Sequence, residues 1–262
     1  MADSPQWIDV HTHLNMLDVP AEAALQEAAL VGVNHMITIG TTPEDWPLVL
    51  SYAKQHFPKV ACTLGVHPHE AALWKDEVAA QLLAGLQNRE VVAVGEIGLD
   101  YYYNNSPREV QLKAFREQME IAAKTGLPVE IHTRDAEDDT ILVLQEFNGK
   151  VTGLLHCFTS SWRMAEAALN VGFNISFSGV VTFKNAQDLR DTCVKVPLSR
   201  LHVETDAPFL APAPHRGRKN RPSLVVHTAE LVAKLKGLSM AELAKATNAN
   251  AAKMFPRWGL PQ

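Results

Sequence analysis

The sequence predicts an α/β fold in which parallel strands alternate with helices and close into a barrel. Short apolar segments alternate with longer amphipathic segments along the whole chain, as in proteins whose strands are joined by helical crossovers. The competing fold, an open doubly wound sheet, normally carries a GxGxxG turn or a phosphate-binding loop after an early strand. The sequence has neither. Its 262 residues suit a TIM-type (β/α)8 barrel with extra C-terminal helices.

The predicted strands are short runs rich in Val, Ile and Leu. Each is separated from the next by a segment long enough for a helix, so neighbouring strands are expected to run parallel. In chain order the strands are predicted at 6–10, 34–39, 60–66, 91–97, 128–132, 151–156, 173–177 and 200–205.

The predicted helices have apolar residues at helical spacing and recognisable ends. They are expected at 20–31, 43–56, 76–88, 107–125, 135–147, 161–170 and 185–194, with two more after the last strand at 222–236 and 239–255. Thr42-Pro43 and Ser106-Pro107 are typical of helix starts. Ser239 and Glu242 match a capping box. Gly126 is typical of a helix end.

Composition indicates an ordinary globular chain. It is 47% hydrophobic and 20% charged with a net charge of −5, so a polyanionic substrate would need local cations. Cys62, Cys157 and Cys193 are far apart, which favours free thiols over a zinc ribbon or disulfides. There is no leader pattern and no membrane-spanning segment. We therefore expect a cytoplasmic protein with one domain over 1–262, no membrane association and no obligate protein partner.

Histidines and carboxylates lie at the ends of most predicted strands. Because these ends meet at one mouth of a barrel, side chains distant in sequence are expected to share a site. A mixture of imidazole and carboxylate suits divalent transition metals better than Mg²⁺, which prefers oxygen. The candidates are His11, His13, His67, His69, Glu96, His132, His156 and Asp206.

This set is large enough for two divalent metal ions, with zinc, manganese, magnesium, nickel and cobalt all open. Glu96 stands in the middle of the chain order and is the predicted bridge between them. Asp206 is predicted to bind the first metal and to accept a proton from the attacking water. Two such cations can clamp the attacking and leaving oxygens and generate hydroxide near neutral pH.

Six short motifs in order resemble the TatD family of metal-dependent hydrolases: Asp9-Val-His11-Thr-His13, Gly65-Val-His67-Pro-His69, Gly95-Glu96-Ile-Gly-Leu-Asp100, Ile131-His132-Thr-Arg134, His156-Cys-Phe158 and Glu204-Thr-Asp206-Ala-Pro. The resemblance implies a TIM-type barrel, two divalent metals and phosphodiesterase activity, usually described as 3′–5′ deoxyribonuclease. It implies that His11, His13, Glu96 and Asp206 hold one metal and that Glu96, His132 and His156 hold the second. His67 would face the scissile phosphate or the attacking water.

Several neighbouring residues have two open interpretations. His69 is expected to contact substrate or to support a metal ligand, and Asp9 to hydrogen-bond a ligand imidazole. Arg134 is predicted to bind phosphate, the alternative being an ion pair with Glu130 or Asp135. 

The remaining candidates lie in loops expected near the mouth. Arg216 and Lys219 belong to the most cationic stretch of the chain and are predicted to bind a phosphodiester, the alternative being a solvated turn. Asp100 could begin a helix or belong to the site. The run Tyr101-Tyr102-Tyr103 could stack on bases or pack within a loop.

We therefore predict a metal-dependent hydrolase that shortens DNA, with RNA as an additional substrate, using a water activated by two metals. One alternative is an ester or amide hydrolase such as a D-aminoacyl-tRNA deacylase, because the same metals could activate a carbonyl carbon. A non-catalytic metal-binding protein is a third hypothesis. The mixed histidine and carboxylate set disfavours it, since structural zinc is usually held by cysteines.

Overall fold

A computed structural model describes residues 5–260. Its strands form one parallel sheet whose spatial order follows the order in the sequence, as predicted. They are β1 Trp7–Thr12, β2 Val33–Gly40, β3 Val60–Leu64, β4 Val91–Asp100, β5 Val129–Arg134, β6 Gly153–Leu155, β7 Asn174–Phe177 and β8 Leu201–Val203. The TIM-type (β/α)8 barrel is therefore confirmed.

Hydrogen bonds between β1 and the segment after β8 close the barrel. The Asp206 amide donates to the His11 carbonyl at 2.9 Å, and the His13 amide donates to the Ala207 carbonyl at 2.8 Å. The buried Asp9 carboxylate accepts from the backbone amide of Thr205 at 2.9 Å and also from its hydroxyl. Asp9 thus joins the two edges of the sheet. The expected bond from Asp9 to a ligand imidazole was wrong, because the carboxylate accepts from Thr205 and from the His11 backbone amide instead.

All nine predicted helices are present, with ends that differ by a few residues. They are α1 Ala21–Leu30, α2 Trp46–His56, α3 Asp76–Gly85, α4 Arg108–Thr125, α5 Glu137–Glu146, α6 Trp162–Asn170, α7 Gln187–Lys195, α8 Val225–Lys236 and α9 Met240–Met254. The capping box of Ser239 and Glu242 and the left-handed Gly126 are confirmed. Among the described helices, none has the length and apolar character that a membrane span requires.

The starts of α2 and α4 show why two of the predicted helix-start signals do not cap their helices. Helix α2 begins at Trp46 rather than Pro43, because the Asp45 carboxylate accepts from the Thr41 and Thr42 amides and holds this stretch as a turn. The Ser106 hydroxyl does not cap α4. It donates to the His69 carbonyl instead.

The C-terminal helix and the turn after it cover the end of the barrel where the strands begin. The Trp258 indole N–H donates to the Pro58 carbonyl at 2.7 Å. The Asn250 side-chain amide donates to the backbone carbonyls of Leu198 and Leu201, both at 2.8 Å. These carbonyls belong to segments that lead into β3 and β8. One end of the barrel is therefore filled by apolar packing that includes Phe255 and Trp258, and the opposite mouth carries the polar site.

Candidate active site

The mouth of the barrel collects buried acidic side chains without buried lysine or arginine. Within residues 5–260 the buried acidic side chains are Asp9, Glu96, Asp100, Glu130, Glu204 and Asp206, and no lysine or arginine is buried. Ionised carboxylates are costly to bury unless positive charge compensates them. The only groups nearby that can supply it are imidazoles or a bound cation.

Glu96 lies at the centre of the cluster, and its two carboxylate oxygens face different imidazoles. Oε2 lies 3.6 Å from His11 Nε2 and 4.0 Å from His13 Nε2. Oε1 lies 2.7 Å from His156 Nε2 and 3.1 Å from His132 Nδ1. The structure therefore divides the predicted ligands into two sets, one on each oxygen of Glu96.

Asp206 belongs to the set that contains His11 and His13. Its Oδ1 lies 3.4 Å from His13 Nε2 and 3.8 Å from His11 Nε2. The Asp206 backbone has a φ of 58°, a left-handed conformation that non-glycine residues rarely adopt. The closing hydrogen bond from its amide to His11 fixes this conformation next to the histidines.

Close packing of β4 against β5 brings Glu96 and His132 together. An added Cβ at Gly98 would lie 1.9 Å from the His132 carbonyl oxygen, and Gly98 has a φ of 137°. Only glycine fits this approach without displacing β5. The Gly95-Glu96-Ile97-Gly98 motif is thus a packing requirement as well as a source of one ligand.

Three buried carboxylates face the imidazole nitrogens that point away from Glu96. Glu130 Oε2 lies 2.8 Å from His11 Nδ1, and Asp100 Oδ2 lies 3.0 Å from His132 Nε2. Glu204 Oε1 lies 3.4 Å from His156 Nδ1. In a neutral ring, a carboxylate at the far nitrogen favours the proton there, so the near nitrogen is available to bind a cation.

This arrangement fits a divalent cation. His156 Nε2 and His132 Nδ1 lie within hydrogen-bond distance of Glu96 Oε1, so either a proton or a cation must lie between these atoms. His11 Nε2 is fully buried and has no hydrogen-bond partner in the described part of the chain. Three groups of ligand atoms in the described residues have the spacing a metal needs. Two of them match the predicted sets in part: His11, His13 and Asp206, and His67, Glu96 and His132. The third joins His11 and His156 to Glu204.

The pKa values of the cluster reflect the same excess of negative charge. Burial lowers the pKa of His156, but the carboxylates of Glu96 and Glu204 outweigh burial and raise it to about 10. Burial raises the pKa of Glu96, but the surrounding imidazoles hold it well below its usual range. Burial likewise raises the pKa of Asp206, and the neighbouring histidines bring it below normal. Glu96 and Asp206 are therefore ionised at neutral pH.

His67 presents a hydrogen-bond donor to the site. Its Nδ1 accepts from the His69 backbone amide at 3.1 Å, so in the neutral ring the proton is on Nε2. Burial lowers the pKa of His67 to about 4, which keeps the ring neutral at pH 7. Nε2 lies 3.4 Å from Glu96 Oε1. A protonated nitrogen cannot bind a metal, so this geometry favours the predicted contact with substrate or water.

Asp100 connects the ligands to the loop after β4. One oxygen, Oδ2, lies 2.9 Å from His69 Nε2 and also contacts His132. The other accepts from the backbone amides of Tyr102 and Tyr103. Asp100 is thus a buried member of the site, and His69 is placed as a support in the outer layer rather than beside Glu96.

Glu130 and Glu204 were not assigned these supporting roles from the sequence. Glu130 was considered as an ion-pair partner of Arg134, but it contacts His11 across the barrel. Each of these glutamates stands two residues before a candidate ligand, His132 or Asp206, inside a buried apolar run. A charged residue in such a run is the signal that could have indicated a contact with the site.

The three predicted cationic residues lie at different places. The Arg134 guanidinium lies over the rings of Tyr102 and Tyr103, so the alternative ion pair with Glu130 or Asp135 was wrong. Arg216 lies over the Phe183 ring, and Lys219 is exposed. Within the described residues neither Arg216 nor Lys219 forms an ion pair with the cluster.

Comparison with known proteins identifies relatives over nearly the whole chain. The family described as "TatD related DNase" matches residues 8–256. The uncharacterized metal-dependent hydrolase YcfH of Escherichia coli K12 is 41% identical over 257 residues, which cover 95% of each chain. The 3′-5′ ssDNA/RNA exonuclease TatD of Erwinia tasmaniensis is 36% identical over 240 residues, or 89% of this chain and 93% of that protein.

A solved structure supports the same relationship. YJJV, a TatD homologue from Escherichia coli K12, superposes with a TM-score of 0.89 at 31% identity and covers 95% of this chain and 98% of its own. The chain therefore belongs to the TatD-related DNase family of metal-dependent hydrolases.

Proposed function

We propose that this protein is a metal-dependent exonuclease that shortens single-stranded DNA from the 3′ end and also accepts RNA. The Erwinia tasmaniensis relative with the name 3′-5′ ssDNA/RNA exonuclease supports this choice of substrate. The position of Glu96, with each oxygen facing a separate set of imidazoles, is the observation that carries the proposal. A carboxylate in this position can bridge two cations.

We assign two divalent metal ions to the two sets. His11, His13, Glu96 and Asp206 would hold one ion, and Glu96, His132 and His156 would hold the other. Bound there, the ions would offset charge on the phosphate oxygens and would lower the pKa of a water that they bind to near neutral. The protein's own contribution is to hold the imidazoles in fixed orientations, which Glu130, Asp100 and Glu204 secure from behind, and a bound cation would replace the proton on His156.

Two further side chains have roles in the proposed hydrolysis. Asp206 is ionised and lies at the edge of the first set, where it can accept the proton of the attacking water. His67 Nε2–H can donate to a non-bridging phosphate oxygen and stabilise the charge that develops there. Arg216 and Lys219 remain candidates for contacts with more distant phosphates.

The test is cleavage of 5′-labelled single-stranded DNA by protein stripped of metal with EDTA and reloaded with Mg²⁺, Mn²⁺ or Zn²⁺. Glu96→Ala should abolish cleavage and leave the thermal unfolding midpoint close to that of the wild type. Glu146→Ala is the matched control, because Glu146 is an exposed partner of Arg116 on the outer face of the barrel. It should retain full activity.

Stepwise shortening that requires metal and Glu96 would support the nuclease assignment. Retained turnover in Glu96→Ala would overturn the two-metal site. If wild-type protein binds metal and cleaves no nucleic acid, the phosphodiesterase proposal fails. The same site would then be tested on ester and amide substrates, starting with aminoacyl-tRNA.

A further inference from the structure

The exposed aromatic side chains are concentrated at the mouth of the barrel. Across residues 5–260, the Tyr, Phe and Trp side chains in the exposed class are Tyr102, Tyr103 and Phe209. Each is about half exposed. Tyr102 and Tyr103 directly follow β4, and Phe209 follows the Asp206 segment after β8. Large exposed aromatic groups that cluster beside a site are typical of ligand contacts.

Two of these rings contact imidazoles of the site. Tyr103 lies edge-on to His69, with ring centroids 5.4 Å apart, and Phe209 lies edge-on to His13 at 5.9 Å. His13 belongs to the set on Glu96 Oε2, whereas His69 is joined through Asp100 to His132 on the side of Oε1. The aromatic rings therefore stand at both ends of the candidate metal site.

The tyrosine end is a built surface that includes a cation. The Arg134 guanidinium lies 4.2 Å from the Tyr102 ring centroid and 4.9 Å from that of Tyr103. The Asp100 carboxylate accepts from both tyrosine amides at 3.0 and 2.9 Å, which holds the loop against the site. Tyr101 is different, because it is half-buried and its hydroxyl donates to Asp139. We call Tyr102, Tyr103 and Arg134 the tyrosine platform.

The other end is also held in place. The Phe209 amide donates to the Asp206 carbonyl at 2.9 Å. The Phe209 carbonyl accepts from the Asn220 side chain at 2.6 Å, and Asn220 also donates to the Thr205 carbonyl. These bonds fix the backbone of Phe209 beside Asp206, and its side chain is about half exposed.

We propose that the tyrosine platform and Phe209 bind unpaired nucleobases on the two sides of the scissile phosphodiester. This proposal rests on the proposed function and specifies its substrate contacts. Aromatic rings and guanidinium groups can stack on any base, so this binding does not depend on the sequence of the strand. Bases in a duplex are stacked on their neighbours and cannot present both faces, so the two ends together favour a single strand. Arg134 forms no ion pair with a carboxylate within residues 5–260, so its positive charge can face the backbone of that strand.

The test measures binding of a fluorescent single-stranded oligonucleotide by anisotropy. The protein is the Asp206→Asn variant loaded with Mn²⁺, because this variant is expected to cleave slowly or not at all, so the oligonucleotide stays intact during the measurement. In this background, Tyr103→Leu and Phe209→Leu should each raise Kd about fivefold or more. Tyr103→Phe should bind as tightly as the parent, because the ring remains. An oligonucleotide of the same length with abasic sugars should bind more weakly and be insensitive to both Leu substitutions.

Phe57→Leu is the matched control. Phe57 lies under the Arg89 guanidinium before β3, at the opposite end of the barrel, and its substitution should leave Kd unchanged. Equal Kd values for the parent and the Leu variants would overturn the proposal that the tyrosine platform and Phe209 bind bases. Failure of the parent to bind the intact strand would also overturn it. Cleavage by the wild type is measured separately. If the wild type cleaves the strand but binding does not depend on Tyr103 and Phe209, only the base-binding proposal is rejected. If binding depends on these rings but the wild type does not cleave, only the exonuclease proposal is rejected.

Discussion

Replacement of Glu130 by Gln tests whether buried carboxylates prepare the imidazoles for metal. Glu130 Oε2 lies 2.8 Å from His11 Nδ1, and both side chains are fully buried. The substitution keeps the shape of the side chain and removes its charge. If the amide nitrogen faces the ring, His11 must accept at Nδ1 and carry its proton on Nε2, where the metal would bind. If the amide oxygen faces the ring, the hydrogen bond remains but is weaker.

The expected loss follows from the role of this contact. Removal of a partner behind a metal-binding histidine typically costs about 10- to 100-fold in metal affinity or activity. At about 1.4 kcal/mol per tenfold change, this is about 1.4–2.8 kcal/mol. We expect Glu130→Gln to lower Mn²⁺ affinity within this range, measured by competition with a chelating dye.

The matched control is Glu146→Gln, which removes the charge of an exposed glutamate that pairs with Arg116 at 2.8 Å. Its metal affinity should equal that of the wild type. A Glu130→Gln protein that unfolds at the wild-type temperature and binds metal within twofold of the wild type would refute the proposed role of Glu130.

Three other changes have definite expected outcomes. Asp206→Asn should keep at least one metal, measured by elemental analysis, and lose kcat, whereas an unchanged kcat would exclude Asp206 as the base. Trp258→Ala should lower the free energy of unfolding by about 3–5 kcal/mol in urea, because the indole is fully buried and bonded to Pro58. Burial lowers the pKa of His202 from 6.5 to about 3. Below pH 6.5 the unfolded chain therefore binds a proton at this histidine that the folded protein does not bind. This contribution to stability is complete above pH 6.5 and declines toward pH 3, and urea titrations of His202→Gln should show a smaller decline.

Strand and helix order were predictable because burial imposes a hydrophobic pattern that the sequence displays directly. The ends of the strands at the site were less predictable. β1 continues to Thr12 and β4 to Asp100, beyond the predicted ends at 10 and 97. In both strands the pairing continues through polar residues of the site, where the apolar pattern that marks a strand has already stopped.

The residues that the fold brings together at the candidate site could be predicted because each lies in a short motif at a strand end. Their supporting partners could not, because the partner of an imidazole is set by the closed barrel rather than by local sequence. Glu130 is 119 residues from His11, and Glu204, just after β8, reaches His156, just after β6. The alternative ion pair of Arg134 with Glu130 or Asp135 was wrong for the same reason. Sequence proximity suggested a carboxylate, whereas the fold places two tyrosine rings beside the guanidinium.

The division of the site by Glu96 also explains why two loops distant in sequence would serve one substrate. The set on Oε2 includes Asp206, whose carbonyl accepts from the Phe209 amide. The set on Oε1 includes His132, whose far nitrogen faces the Asp100 carboxylate that also holds the Tyr102 and Tyr103 amides. Each aromatic end is thus connected through one residue to one of the two candidate ligand sets. A strand lying across Glu96 would place its phosphate over the centre and its bases over the ends, so the residues that orient the ligands would also align the substrate.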